Sequence, residues 1–247
     1  MQKIQIIHEP TSAEPFVVIN KPRYLPSAPL TASDEENAFF QAAEFFPELL
    51  KVSGKKEIEH GLVHRLDTET SGLLLIASSQ YFYDKLQEEQ KEERFIKKYT
   101  AFCNEIKNNC ELLKGFPPFE EIIDFNSRKS IEVLSYFRPF SEGLKEVRPV
   151  TEKSGMAALK KCRNKKLYST EITPENYDEQ SDLFKFTCKI YSGYRHQVRC
   201  HLAWCGFPVS GDKLYNSKSS EEELKFFATE IEFTNPIDGK NCVFKIK

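Results

Sequence analysis

The chain is poor in the features that would set its class at a glance. It has no Cys-x-x-Cys pair, and its seven cysteines, Cys103, Cys110, Cys162, Cys188, Cys200, Cys205 and Cys242, are odd in number and scattered. Zinc-ribbon and dithiol redox chemistry are therefore unsupported, and reduced core thiols are the simplest reading. Long apolar runs are missing as well. Leu73 to Ala77, beside the central motif, falls far short of the roughly 20 residues of a membrane span, and the opening MQKIQIIHEP lacks the apolar stretch of a secretory leader. A cytoplasmic chain with no membrane partner is expected. Nor is there an excess of positive charge: 35 Lys and Arg face 37 Asp and Glu, for a net charge of −2. A polyanionic partner must then be argued from local clusters. Arg94, Lys97 and Lys98 form one; Lys160, Lys161, Arg163, Lys165 and Lys166 form another. Each, taken alone, reads as a solvated face.

Familiar catalytic signatures are absent too. There is no Gly-x-Ser-x-Gly elbow, no glycine-rich phosphate loop and no His-Glu-x-x-His, so a serine nucleophile, a dinucleotide and a helical zinc site each lose their usual marker. His60 and His64 are four apart, but on a loop and a strand; His196 and His201 are five apart, which does not align on a helical face. No metal is expected, and hydrogen-bonded structural histidines are. Repeats, low-complexity tracts and Gly/Ser linkers are also missing, so one domain over residues 1–247 is the simpler count.

What is present is a mixed pattern. Phe16 to Ile19 reads as a strand closed by Asn20 and Pro22. A helix follows, capped by Ser33 with Glu36 and carrying Phe39, Ala43, Phe46 and Leu50, with Pro47 disturbing its last turn. Leu62–Leu66 reads as a strand, Thr68–Gly72 as a turn and Leu73–Ala77 as a buried strand, which leaves Asp67 at a strand end. Gln80–Glu92 is helical, and Lys98–Cys103 and Ile131–Phe137 are strands, while the rest of 104–150 is punctuated by prolines and gives no clear period. Leu183–Tyr191 alternates as a half-buried strand, a helix runs from about Arg195 to Cys205, and Phe226–Phe233 and Val243–Ile246 close the chain as strands.

On that last helix Arg195 and Arg199 fall one turn apart on one face, with His196 beside them. Two guanidiniums there call for an anion, either a carboxylate such as Asp67 or a phosphate near the helix start; a surface helix with solvated arginines is the plain alternative.

Four ordered blocks carry a resemblance. His64-Arg65-Leu66-Asp67 with Thr70-Ser71-Gly72-Leu73-Leu74-Leu75, Asn20-Lys21-Pro22, "KKYTAF" at 97–102 and "GYRHQVRCHLAWCGFPVSGDKLY" at 193–215 together resemble the RluA-type pseudouridine synthases, over about residues 14 to 247. The resemblance implies an α+β fold, a mixed and mainly antiparallel central sheet flanked by helices with the active-site cleft across its middle. It implies an isomerase that converts uridines of rRNA or tRNA to pseudouridine, with RNA as partner, no cofactor and a monomeric state, and no S4-like RNA-binding domain ahead of the motif. Asp67 matches the catalytic aspartate and Arg199 the arginine that pairs with it, since a neighbouring guanidinium favours the charged carboxylate and fixes its orientation. Tyr99 matches the tyrosine whose ring receives the base flipped from its stack. Arg65, His64, Lys97, Arg195, His196 and Gln197 are implied substrate-binding or pocket residues; Gly206, Pro208, Gly211 and Asp212 read as backbone-setting positions.

Two departures stand out. The family's Gly-Arg-x-His-Gln is here Gly193-Tyr194-Arg195-His196-Gln197, with the arginine moved one place, and the glycine-rich turn after Asn-Lys-Pro is here Arg23-Tyr24-Leu25-Pro26. A turnover-deficient RNA-binding protein on the same fold is therefore the second reading. A glycosidase is the third, and it lacks a confident second carboxylate.

Overall fold

The computed structural model describes residues 2–29, 31, 34–106, 114–121, 123–162, 165–217 and 219–246; Ser33, Cys110 and Arg163 lie outside them. The chain divides into two compact units, one made of Met1–Lys98 with Phe227–Lys247, the other of Tyr99–Phe226.

The first unit opens with β1 (Gln5–His8) and β2 (Phe16–Lys21), followed by α1 (Ala38–Phe45), β3 (Ser71–Ala77) and α2 (Gln80–Lys91). α1 starts later than expected. Its cap is Asn37, whose side chain accepts from the Phe40 N–H at 2.9 Å, and Pro47 begins a separate 3₁₀ turn, Pro47–Lys51, instead of a last helical turn. α2 is capped by Ser79 and buries Phe82, Tyr83 and Leu86. β4 (Ile96–Cys103) leaves this unit after Lys98.

In the second unit come β5 (Ile131–Phe140), β6 (Glu146–Val150), the short α3 (Met156–Leu159), β7 (Tyr168–Asp178), β8 (Leu183–Ile190) and α4 (Gln197–Trp204). β9 (Phe226–Thr234) then returns the chain to the first unit, and β10 (Asn241–Lys245) pairs antiparallel with it.

Strand order in the first unit is β1-β2-β3-β9. Pairing is antiparallel except between β3 and β9, which meet in parallel at Ser71↔Phe227 and Gly72↔Ala228. In the second unit the order is β4-β8-β7-β5-β6, with β8-β7, β7-β5 and β5-β6 antiparallel. The class is thus α+β with a mixed, mostly antiparallel open sheet and few helices, as the resemblance implied.

The core of the first unit gathers Phe16, Val18, Leu73, Leu75, Phe82, Leu86, Phe95, Ile231 and Phe233. β3 is buried from Gly72 onward, which explains its unbroken apolar run: a strand covered on both faces has no solvent side to alternate with. The core of the second unit includes Phe137, Val147, Tyr168, Cys200, Ala203 and Tyr215. Of the described cysteines, Cys103, Cys188, Cys200 and Cys242 are buried thiols, and Cys162 and Cys205 are half-buried. Among the described residues no helix is long and apolar enough to cross a membrane.

Candidate active site

The segment before Asp67 is not the strand its sequence suggests. Leu62 makes one isolated bridge with Ile76, and Val63 donates to Leu75 O at 3.1 Å. The next ladder donor, the Leu75 N–H, goes to the ring Nε2 of His64 at 3.3 Å. A side chain has taken the place of a backbone carbonyl, and the ladder stops there. His64 is accordingly neutral: desolvation of its ring, with the Lys97 charge nearby, pushes its pKa down to about 3. Accepting at Nε2 puts the proton on Nδ1, which is buried without a hydrogen-bond partner among the described residues.

The backbone is pinned on both sides of Asp67. Leu66 donates to the Ser27 hydroxyl at 3.0 Å, and that hydroxyl donates back to Leu66 O at 2.9 Å. On the other side Lys21, with no exposed surface, donates from Nζ to Thr68 O at 3.2 Å, Leu25 O at 2.7 Å and Pro22 O at 3.0 Å. Burial lowers the Lys21 pKa to about 8, with the Asp67 charge pulling the other way. A turn closed by Thr70 N–H to Asp67 O, 3.0 Å, then feeds β3. Gly72 is required at the start of that strand: it has φ +125°, and a Cβ there would meet Ala228 O at 2.2 Å. Arg65 points outward, its Nη1 2.8 Å from Glu59 Oε1. Lys97 is buried on β4, its ammonium 5.5 Å from the Phe95 ring centroid.

The motif residues of the second unit are arranged around α4 and the turn after it. Arg199 is 1% exposed and forms a bidentate pair with Asp212, Nε to Oδ2 and Nη2 to Oδ1, both at 2.7 Å. Asp212 has no exposed surface, and its Oδ1 also accepts from the Leu214 and Tyr215 N–H groups at 3.0 and 3.2 Å. Asp212 therefore does more than set a turn: it is the carboxylate that holds Arg199. Sequence reasoning missed it because thirteen residues separate the partners and no helical spacing links them; the signal available was the Gly211-Asp212 pair. Gly211, φ +77°, could not carry a Cβ, which would lie 2.0 Å from Glu223 O.

α4 begins at Gln197, so Arg195 and Arg199 do not share a helical face. His196 precedes the helix in a left-handed conformation, φ 57°, which turns Arg195 off the axis. The Arg195 guanidinium donates instead to Leu144 O and to Glu146 O. His196 Nδ1 lies 3.2 Å from the Tyr215 hydroxyl, and the Tyr215 ring faces the Arg199 guanidinium at 5.8 Å, so these two motif residues meet on one aromatic side chain. Gln197 is engaged at both ends of its amide, accepting from Tyr194 N–H at 2.9 Å and donating to Ser169 O at 2.8 Å and Thr170 Oγ1 at 3.1 Å. Thr170 also meets His201 Nδ1 at 2.8 Å, and His201 Nε2 meets Ser135 Oγ at 2.8 Å; burial drops the His201 pKa to about 3. Tyr99 opens the unit, buried and stacked on Phe226, with ring centroids 5.0 Å apart and planes 5° from parallel.

Histidines thus serve as packing and hydrogen-bonding groups, His60 stacking on Phe39 at 4.8 Å among them. Among the described residues no three His, Cys, Asp or Glu side chains are grouped so as to hold a metal ion.

Comparison with known proteins agrees with these motifs. A family model described as RNA pseudouridylate synthase matches residues 15–204. The ribosomal large subunit pseudouridine synthase C of Rickettsia felis is 28% identical over 80% of this chain and 56% of its own length. The tRNA pseudouridine(31) synthase of Saccharomyces cerevisiae is 28% identical over 91% of this chain and 50% of its own. The chain spans about half to two thirds of the length of such curated relatives. Among solved structures, human RNA pseudouridylate synthase domain containing 1 is similar in fold, with a TM-score of 0.66 and 19% identity over 99% of this chain and 83% of that one.

Proposed function

Because the chain belongs to the RNA pseudouridylate synthase family, in its RluA-type branch, we propose that it isomerises uridines of rRNA or tRNA to pseudouridine. In that reaction the N1–C1′ bond of the nucleotide breaks, the freed uracil turns, C5 bonds to C1′, and the proton of C5 is lost as N1 gains one. Asp67 is the carboxylate that acts at the junction of sugar and base, by adding to either or by removing a sugar proton. The observation that carries this reading is the pinning of the backbone on both sides of Asp67, by Ser27 at Leu66 and by Lys21 at Thr68. A carboxylate asked to act on one atom of a mobile polymer gains most from being held still before the substrate arrives.

Arg199, fixed by Asp212, supplies the catalytic cation, and Tyr99, fixed by Phe226, supplies the ring that receives the flipped base. Arg65 and Arg195, both exposed, contact the RNA, while His64, Lys97, His196 and Gln197 shape the pocket wall. The protein acts in the cytoplasm, as a monomer and without a cofactor.

The test is direct. Unmodified RNA incubated with the protein and treated with carbodiimide should arrest reverse transcription at new positions, and Asp67→Ala should give no arrests while retaining its fold by circular dichroism. Wild-type protein that produces no arrests on rRNA or tRNA removes the assignment. Arg199→Ala should lose rate with little loss of RNA affinity; equal losses of both would make it a binding residue.

A further inference from the structure

Residues 138–166 contain nine Lys and Arg against three Glu, a local excess of six positive charges in a chain whose net charge is −2. Within that stretch two guanidiniums stack on one ring, Arg138 at 5.0 Å and Arg148 at 4.3 Å from the Phe140 centroid. Their situations differ. Arg148 is satisfied inside the protein, by Glu146 at 2.7 Å, Lys114 O at 3.0 Å and Val147 O at 3.0 Å. Among the described residues Arg138 has one hydrogen bond, Nη2 to Gly115 O at 3.2 Å, and its buried Nε has no partner. Burial and the Arg148 charge both lower the Arg138 pKa, a repulsion that an anion would relieve.

A groove opens beside this pair, lined by Arg138, Pro139, Phe140, Ser141, Leu144 and Lys161. Its polar groups are all donors or neutral. The Ser141 hydroxyl is buried without a partner among the described residues. Lys161 is exposed and forms no ion pair among the described residues. An arginine, a serine and a lysine line the groove and no acidic residue does, which is the side-chain composition of an oxyanion site.

We propose that this groove binds a backbone phosphate of the RNA substrate, and that Lys160, the exposed neighbour of the lining Lys161 in sequence, meets the phosphate that follows. The inference rests on the reading of the substrate as RNA. A polymer fits better than a free anion because residues 138–166 carry more cations than one phosphate can use, and a repeating chain of phosphates is the ligand that uses several.

The test reverses two exposed charges, Lys160→Glu with Lys161→Glu, and measures affinity for a labelled oligouridylate as salt is raised. Affinity at low salt should fall about tenfold, and the slope of log affinity against log salt should become shallower by about 1.4, the expectation for two lost phosphate contacts on a single strand. Arg138→Gln should weaken binding in the same direction. A charge-matched control, Lys85→Glu with Lys91→Glu on α2, should move neither quantity. Equal behaviour of patch and control variants overturns the proposal, as does inorganic phosphate displacing the oligonucleotide at matched phosphate concentration. Because binding is read without turnover, the two readings fail separately. Salt-sensitive binding with no pseudouridine formed supports the groove and sinks the isomerase; pseudouridine formed with an unaltered slope does the reverse.

Discussion

The two units hold their motif residues by opposite means. Around Asp67 the ties run from side chains to the backbone: Lys21, Ser27 and His64 each bind peptide groups of the 62–75 segment or its neighbours, and the carboxylate itself is left at an intermediate depth. Around Arg199 the tie is between two charged side chains, both essentially without exposed surface. The first arrangement fixes a position and leaves the carboxylate partly accessible. The second fixes the side chain itself and makes it part of the core, so that under the proposed roles site and stability are coupled in one unit and largely separable in the other.

Breaking the buried pair gives the largest expected effect. Asp212→Ala removes the carboxylate that fills the Arg199 fork and accepts from two turn N–H groups; a loss of about 3–5 kcal/mol in urea denaturation is expected. Replacing both charges, Arg199→Met with Asp212→Leu, should cost less than the single change, because no desolvated charge is left behind. Next comes Gly72→Ala in the first unit, where the added Cβ meets the Ala228 carbonyl and the backbone is left-handed; about 2–3 kcal/mol is expected by the same measurement.

A pH comparison sharpens the contrast further. His201 in the folded chain has its pKa lowered to about 3, so between pH 3 and 6.5 the unfolded chain binds the extra proton, and stability falls as pH drops through that window. From pH 7 to pH 5 His201 should account for about 2 kcal/mol of the loss; His64, lowered to the same value, adds a similar share, so His201→Gln should remove about half of the pH dependence.

Lys21→Met gives the smallest effect on stability. Relief of a desolvated ammonium offsets the lost hydrogen bonds, so unfolding free energy should stay within about 1 kcal/mol of wild type. Activity should fall about tenfold with KM unchanged, equivalent to roughly 1.4 kcal/mol of barrier. The wild-type rate should also decline as pH rises through about 8, where Lys21 loses its charge, and the variant should lack that limb. A KM increase at constant kcat would mean the lysine helps bind RNA instead of positioning Asp67.

Legibility in the sequence followed the same division. Asp67, its glycine and the strand beyond lie within a dozen residues, so motif and local period pointed to them together. The strand β7 gave no such sign, although it lies between β8 and β5 in the second unit. Its inward side is Tyr168, Thr170, Ile172 and Pro174, half of it not apolar, with Thr170 buried because His201 and Gln197 satisfy its hydroxyl. Pro174 adjoins a register irregularity, where a strand can do without an N–H donor. The polar residues that hide the period are those that carry the buried network. Likewise the start of α4 was misplaced by two residues because a left-handed histidine is a tertiary choice, which no helical propensity signals.

The first unit is also assembled from two pieces of chain, 1–98 and 227–247. β3, which follows the Asp67 turn directly, takes its parallel neighbour from the second piece. During synthesis on a ribosome, Ser71 and Gly72 emerge more than a hundred residues before Phe227 does, and while Gly61 to His64 cover the same edge of β3 from Leu75 to Ala77, the first two residues of that edge must wait unpaired until the whole of the second unit is made. Nascent chains halted before β9 should therefore be sticky and chaperone-dependent, and should become independent once the final segment is released.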